Sequence, residues 1–132
     1  MIIKRVCGAI IRKNKILMVL HKHNKTKYWT LPGGGVECDE SPEEAIIREI
    51  LEETKLETIV IKNIFDEISE KGICRCFLMK EINTKQKALL GFDPEESNLL
   101  QKDRLLQKLK WQSLEKFKSD KQVKLVIAHL DL

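Results

Sequence analysis

"LPGGGVECDESPEEAIIREILEETKL", Leu31 to Leu56, runs three consecutive glycines into the most acidic segment of the chain. From Glu37 to Glu57 there are nine acidic side chains against only Arg48 and Lys55, in a protein whose formal net charge is +4. Carboxylates gathered in one segment of a basic chain call for a cause other than solubility.

Local chemistry makes this segment a loop followed by a helix. Ser41 suits the N-cap, Pro42 the first helical position, and Glu44 completes a capping box three residues after Ser41. The pattern predicts a helix from Pro42 to about Thr54. At about 100° per residue, Ile46, Ile47, Ile50 and Leu51 gather into one arc, expected to face the core. Glu49, Glu52 and Glu53 gather into another, on roughly the opposite side. Like charges at these spacings repel by a few tenths of a kcal/mol per pair, and two of the three sit near the helix C-terminus, the unfavourable end for negative charge. A bound cation reverses both penalties. Hard cations such as Mg²⁺ or Mn²⁺ take oxygen ligands, and Mg²⁺ is usually shared between a few carboxylates and the phosphates of a substrate. Gly33 to Gly35, free of side chains, let backbone approach such a site closely.

The rest of the chain bounds what that site serves. Its 132 residues fit one domain over 1–132, and 42% hydrophobic with 33% charged residues describes a folded globular protein. No apolar run is long enough to span a bilayer, and "MIIKRVCGAIIRKNK" interleaves its charges with its apolar residues, unlike a signal peptide. The expected compartment is the cytoplasm, with no membrane partner. Cys7, Cys38, Cys74 and Cys76 form no CxxC pair and are expected to be reduced thiols. Met1 to Val36 holds eight Lys/Arg and no acid, and Gln101 to Lys124 holds eight against three acids. A basic surface around an acidic segment suits an anionic ligand carried by metal ions.

Outside the acidic segment, "VCGAII" and "KILMVLHK" read as two strands of a hairpin, and "KYWTL" as a third extended piece leading to Pro32. "ETIVIKNIFDEI" and "ICRCFLMKEI" follow as strands joined near Gly72. "NTKQKALLGFDPEESN" is a polar loop, Leu109 to Leu114 lean towards strand, and Val123, Val126, Ile127 and Leu130 mark a terminal helix capped at Ser119 or Asp120. Tyr28 and Trp29 either stack on a base or join the core, and His21 and His23 either contact phosphate or, the favoured reading, lie at a solvent-facing strand end. Phe65, Phe77 and Trp111 are assigned to the core or its edge.

Position by position, the opening segment resembles the Nudix box: Gly, five residues, Glu, seven residues, Arg-Glu-apolar, one residue, Glu-Glu, one residue, Gly, apolar. Gly34, Glu40, Arg48, Glu49, Ile50, Glu52, Glu53 and Leu56 fall in register, eight of nine defined positions. The resemblance implies an α/β fold, an α/β/α sandwich with a central mixed sheet, and a pyrophosphohydrolase cleaving a diphosphate linkage in a nucleoside diphosphate derivative. It implies that Glu49, Glu52 and Glu53, with the carbonyl of Gly33, ligate Mg²⁺ or Mn²⁺. Arg48 would orient a catalytic glutamate, while Gly34 and Glu40 support the loop. The general base it implies is either Glu49 or a glutamate outside the box, for which Glu95 and Glu96 are candidates.

Two residues depart from the pattern. Lys55 replaces the last glycine, at a cost of about 1 kcal/mol where a left-handed conformation is needed, and Asp39 stands where many members have glycine. The expected substrate is a (d)NTP or similar small nucleotide. A non-hydrolytic nucleotide- or nucleic-acid-binding module is the alternative, disfavoured by few aromatics and an intact glutamate set, so nucleic acid is not the expected partner. Monomer and homodimer both stay open.

Overall fold

A computed structural model describes residues 2–132. Seven strands and two helices follow the order β1 (Ile3–Arg12), β2 (Lys15–His23), β3 (Thr26–Thr30), β4 (Gly33–Gly35), α1 (Pro42–Thr54), β5 (Thr58–Ser69), β6 (Gly72–Glu81), β7 (Leu106–Ser113) and α2 (Lys121–Leu130). The predicted elements are all present. Short 3-10 turns at Pro94–Glu96 and Gln101–Asp103 punctuate the long connection between β6 and β7.

The sheet runs β3-β2-β1-β6-β5, with β4 also pairing β1 and β7 also pairing β2. β1 and β6 are parallel and the other pairs antiparallel, so the sheet is mixed as expected. Its two faces carry separate cores. Val6, Ile10, Leu17, Phe77 and Met79 pack under Ala45, Ile46 and Ile50 of α1. Ala9, Ile16, Met18, Phe65 and Cys76 pack under Val123 and Val126 of α2. The result is an α/β/α sandwich, and Trp29 belongs to the α2-side core. Tyr28 is exposed and stacks on His21, its cross-strand partner. Phe65 and Phe77 are buried, and Trp111 sits at the α1-side core edge under the Arg12 guanidinium.

Both helix starts follow the sequence. Ser41 and Glu44 form the reciprocal capping box, and Asp120 rather than Ser119 caps α2 by accepting from Gln122 and Val123. The buried face of α1 differs from the expected arc. Ile46 and Ile50 are buried, but Ile47 and Leu51 are 37% and 43% exposed, and Glu53 is buried in their place. The cause lies on β1 and β4. A Cβ on Gly8 would press on Ile50 and Ile46, and one on Gly34 would collide with the Glu49 carboxylate. Those two bare positions admit α1 along the Ile46, Ile50 and Glu53 stripe, turning the helix towards its glutamates.

Candidate metal and nucleotide site

The box helix and the glycine strand meet in a cavity of about 400 Å³. Glu49, Glu52 and Glu53 line it from α1, Gly33 and Gly34 from β4, and His21 and Arg5 from the sheet. Glu53 is 8% exposed, and its Oε1 accepts a 2.8 Å hydrogen bond from the Gly33 amide. Burial pushes its pKa up to about 8, with the charges of Glu49 and Glu52 adding to the shift and the Gly33 amide opposing it. Burial likewise raises Glu49, against the pull of Arg48. Glu52 is the solvent-facing member of the set, its side chain half exposed.

Arg48 organises the loop before the helix. Its Nε and Nη2 grip both oxygens of Glu40 at 3.1 and 2.6 Å, Nη1 reaches Glu49 at 3.0 Å and Glu52 at 3.3 Å, and Nη2 also donates to the Gly35 carbonyl at 3.0 Å. Such a fork fixes a planar carboxylate in two directions at once. Glu40 in turn accepts from the Glu37 amide, and the hydrogen bond from Arg48 holds its carboxyl below the usual range. Glu40 thus sits in the loop beside the site, facing Arg48.

The helix end takes the expected strained form. Lys55 is left-handed, φ 62° and ψ 15°, with its amide donating to the Leu51 carbonyl. Asp39 lies in a turn closed by the Glu40 amide on the Glu37 carbonyl, and its φ is not positive. The carbonyls at the end of α1 are taken up by a segment that local sequence rules left as a loop: the Leu89 amide donates to Thr54 and the Gly91 amide to Glu53, each at 2.8 Å. A side chain at Gly91 would strike the Glu52 carbonyl. That contact brings Phe92, Asp93 and Glu96 into the cavity wall. Of the two outside candidates, Glu96 lines the cavity and Glu95 does not. His21 lines it too, contrary to the solvent-facing placement, because its odd position puts it on the same strand face as buried Leu17. Arg5 is a cavity residue that no local pattern singles out.

The donor set has the chemistry of a hard-cation site: oxygen ligands only, excess negative charge, and one carboxylate buried at the cost of a raised pKa. Among the described residues no three His, Cys, Asp or Glu side chains converge as a ready-made cage. Glu53 is turned onto the Gly33 amide and Glu49 onto Arg48, so a cation would share or replace those hydrogen bonds. No helix among the described residues is long and apolar enough to cross a membrane.

Known proteins align with this architecture. An ADP-ribose pyrophosphatase of Methanocaldococcus jannaschii is 54% identical over 52 residues, which are 39% of this chain and 31% of that protein. The chain thus spans about a third of that relative's length. In structure, the E. coli ORF135 protein superposes with TM-score 0.70 at 24% identity, covering 98% of this chain and 89% of that one. A C. elegans Ap4A hydrolase gives 0.73 at 20% identity, covering 97% and 96%. At those identities the two structures speak for the fold, which is the one described above. The match that extends the likeness from the box to nearly the whole sequence is to the NUDIX domain, over residues 2–130, and the chain belongs to that family.

Proposed function

We propose that this protein is a metal-dependent pyrophosphohydrolase that adds water across a diphosphate linkage of a small nucleotide. The observation that carries the reading is the α1 carboxylate set, with Glu53 buried against the Gly33 amide and Glu49 tied to Arg48. Glu49, Glu52, Glu53 and the Gly33 carbonyl would hold Mg²⁺ or Mn²⁺. When bound, the ion would lower the pKa of the attacking water, neutralise phosphate oxygens and stabilise the leaving group.

The protein's own groups then have distinct tasks. Glu49 takes the proton of the water as its oxygen attacks phosphorus and the bridging P–O bond breaks, the departing phosphate leaving with the bridging oxygen. A base works best with a pKa near the working pH, and burial moves that of Glu49 upwards in that direction. Arg48 positions Glu49, and Glu40 positions Arg48. Gly34 leaves room for the Glu49 carboxylate.

Two substrates head the panel. A (d)NTP fits a cavity of about 400 Å³, and the name of the Methanocaldococcus relative favours ADP-ribose. The proposed setting is the cytoplasm, where an exposed thiol such as Cys38 stays reduced. Phosphate and nucleoside monophosphate release from nucleoside triphosphates, ADP-ribose and dinucleoside polyphosphates, with and without Mg²⁺ or Mn²⁺, tests the reading. Metal-dependent turnover lost in Glu53→Gln supports it. Turnover that survives both chelation and Glu53→Gln overturns the metal site, and a wild type inert on every substrate with each metal overturns the reading in favour of a binding module.

A further inference from the structure

The two halves of the sheet treat their charges differently. Around β5 and β6 the signs are mixed and paired: Arg75 with Asp66, Arg12 of β1 with Glu81, and Lys121 of α2 with Glu67. β3, β2 and β7, joined at the other side of the sheet, carry five lysines and no Asp or Glu. A face kept polar for solubility alone intersperses both signs.

Four of the five lysines share one face. Met18 of β2 and Trp29 of β3 belong to the core under α2, so alternation turns the even positions of β2 to that side. Register places Lys27 opposite Lys22, Lys108 opposite Leu20 and Lys110 opposite Met18. All four lysines therefore lie on the α2 side, away from the glutamate cavity. Lys27, Lys108 and Lys110 are exposed, and half-buried Lys22 donates from Nζ to the Lys102 carbonyl at 2.9 Å. Among the described residues none of the four pairs with a carboxylate. Like charges directly opposite on neighbouring strands repel, so Lys22 and Lys27 weaken their own hairpin and the β7 lysines add to the same field. A bound polyanion reverses that penalty.

The shape of the face narrows the polyanion. β2 is flanked by β3 and by the start of β7 as far as Lys22, whose amide donates to the Leu105 carbonyl, so no free ribbon projects to enter a duplex groove. At the rim Tyr28 follows Lys27 on edge strand β3; it is 48% exposed and stacked on His21. Its ring turns to the other side of β3, within reach of a chain that rounds the sheet edge. Few aromatics in the sequence argue against nucleic acid, but register sets one of them beside four lysines. We infer that this face docks a single-stranded nucleic acid, its phosphates on Lys22, Lys27, Lys108 and Lys110 and a base on Tyr28. Single strands are held by such a combination of a cationic track and a stacking ring; a run of acidic side chains or a lipid headgroup makes no use of the ring.

Fluorescence anisotropy with a labelled single-stranded oligonucleotide of about twelve nucleotides tests this. A 5′-hydroxyl end offers no anhydride to cleave. Affinity should fall with salt at a log–log slope of about −3, four phosphate contacts at roughly 0.7 each. The double variant Lys108→Gln, Lys110→Gln should halve that slope and bind about tenfold or more weakly at low salt. The control Lys62→Gln, Lys80→Gln loses the same charge from exposed positions on β5 and β6 and should bind as the wild type does. Tyr28→Ala should cost about fivefold to a hundredfold in affinity and keep the slope. Unchanged melting curves show that each variant is folded. No binding at low salt, equal weakening by the two lysine pairs, or full affinity in Tyr28→Ala overturns the inference. Tighter capture of phosphatidylserine vesicles or of polyglutamate than of the oligonucleotide overturns it as well. The face is independent of the hydrolase reading: Glu53→Gln should bind the strand like the wild type, so the two fail separately.

Discussion

α1 and α2 lie on opposite faces of one sheet, each started by a side-chain cap and each ended by a left-handed residue that is not glycine, Lys55 at φ 62° and Asp131 at φ 56°. Their buried stripes differ. α2 buries Val123 and Val126, while α1 buries Ala45, Ile46 and Ile50 and then carries the stripe into Glu53. A carboxylate at a position where packing favours an apolar side chain weakens the fold and is retained where a cation or substrate uses it. One helix therefore serves the core alone, and the other serves the core for three turns and the site at its end.

The largest expected effect comes from removing that difference. Glu53→Gln keeps an oxygen to accept from Gly33 but no charge, and metal-dependent turnover should fall by about a hundredfold or more, read in a steady-state assay. Stability should move the other way. A folded-state pKa of about 8 against an ordinary 4.5 means that the folded metal-free protein holds a proton the unfolded chain releases. Stability of the wild type therefore falls as pH rises from about 4.5 to about 8, and is unaffected by this group below that window. Glu53→Gln should flatten the fall, worth a few kcal/mol at pH 8, and saturating Mg²⁺ or Mn²⁺ should restore the wild type. Equal pH dependence of the two melting curves would remove the strain argument.

Arg48→Lys is next. A lysine places one point charge where the guanidinium spans Glu40, Glu49 and Gly35. Activity should drop about tenfold to a hundredfold, the usual cost of losing a group that orients ligands, with little change in melting temperature. Val126→Ala on α2 tests the other half of the comparison. It should cost on the order of 2 kcal/mol in stability and leave KM and kcat at temperatures well below melting unchanged. An α2 variant that altered KM would show the two faces to be coupled.

What could be read in the sequence follows from how local the determinants are. Both helix starts and the hairpin depend on residues within a few positions of one another and stand where the pattern placed them, whereas Glu53 is buried with Ile46 and Ile50 instead of on the opposite arc. The face of α1 depended on Gly8 and Gly34, whose missing side chains let the helix turn its last glutamate inward; no periodicity within the helix encodes that. His21 was within reach of sequence reasoning, since strand alternation puts it on the face of Leu17. The wall formed by Phe92, Glu96 and Leu105 was not. It is held by Gly91 on the end of α1 and by Arg104 on Phe92, contacts that span long stretches of chain and follow no period. The lone signal there was a glycine beside an aromatic inside an otherwise polar loop.

The smallest effect concerns the feature the two helices share. A non-glycine residue in the left-handed region pays a steric penalty of about 1 kcal/mol, so Lys55→Gly should stabilise the protein by up to that amount, offset in part by the freedom glycine adds to the unfolded chain. Lys55 joins α1 to buried Leu56 and to β5. A strained residue held between two packed elements must keep its conformation. Lys55→Gly also relieves no contact to the carboxylates, and its amide still donates to Leu51. Turnover should thus match the wild type while the denaturant midpoint rises. If instead kcat falls as the midpoint rises, the strain at Lys55 sets the angle of the last turn of α1, and with it the position of Glu52 and Glu53, and the box lysine is part of the site after all.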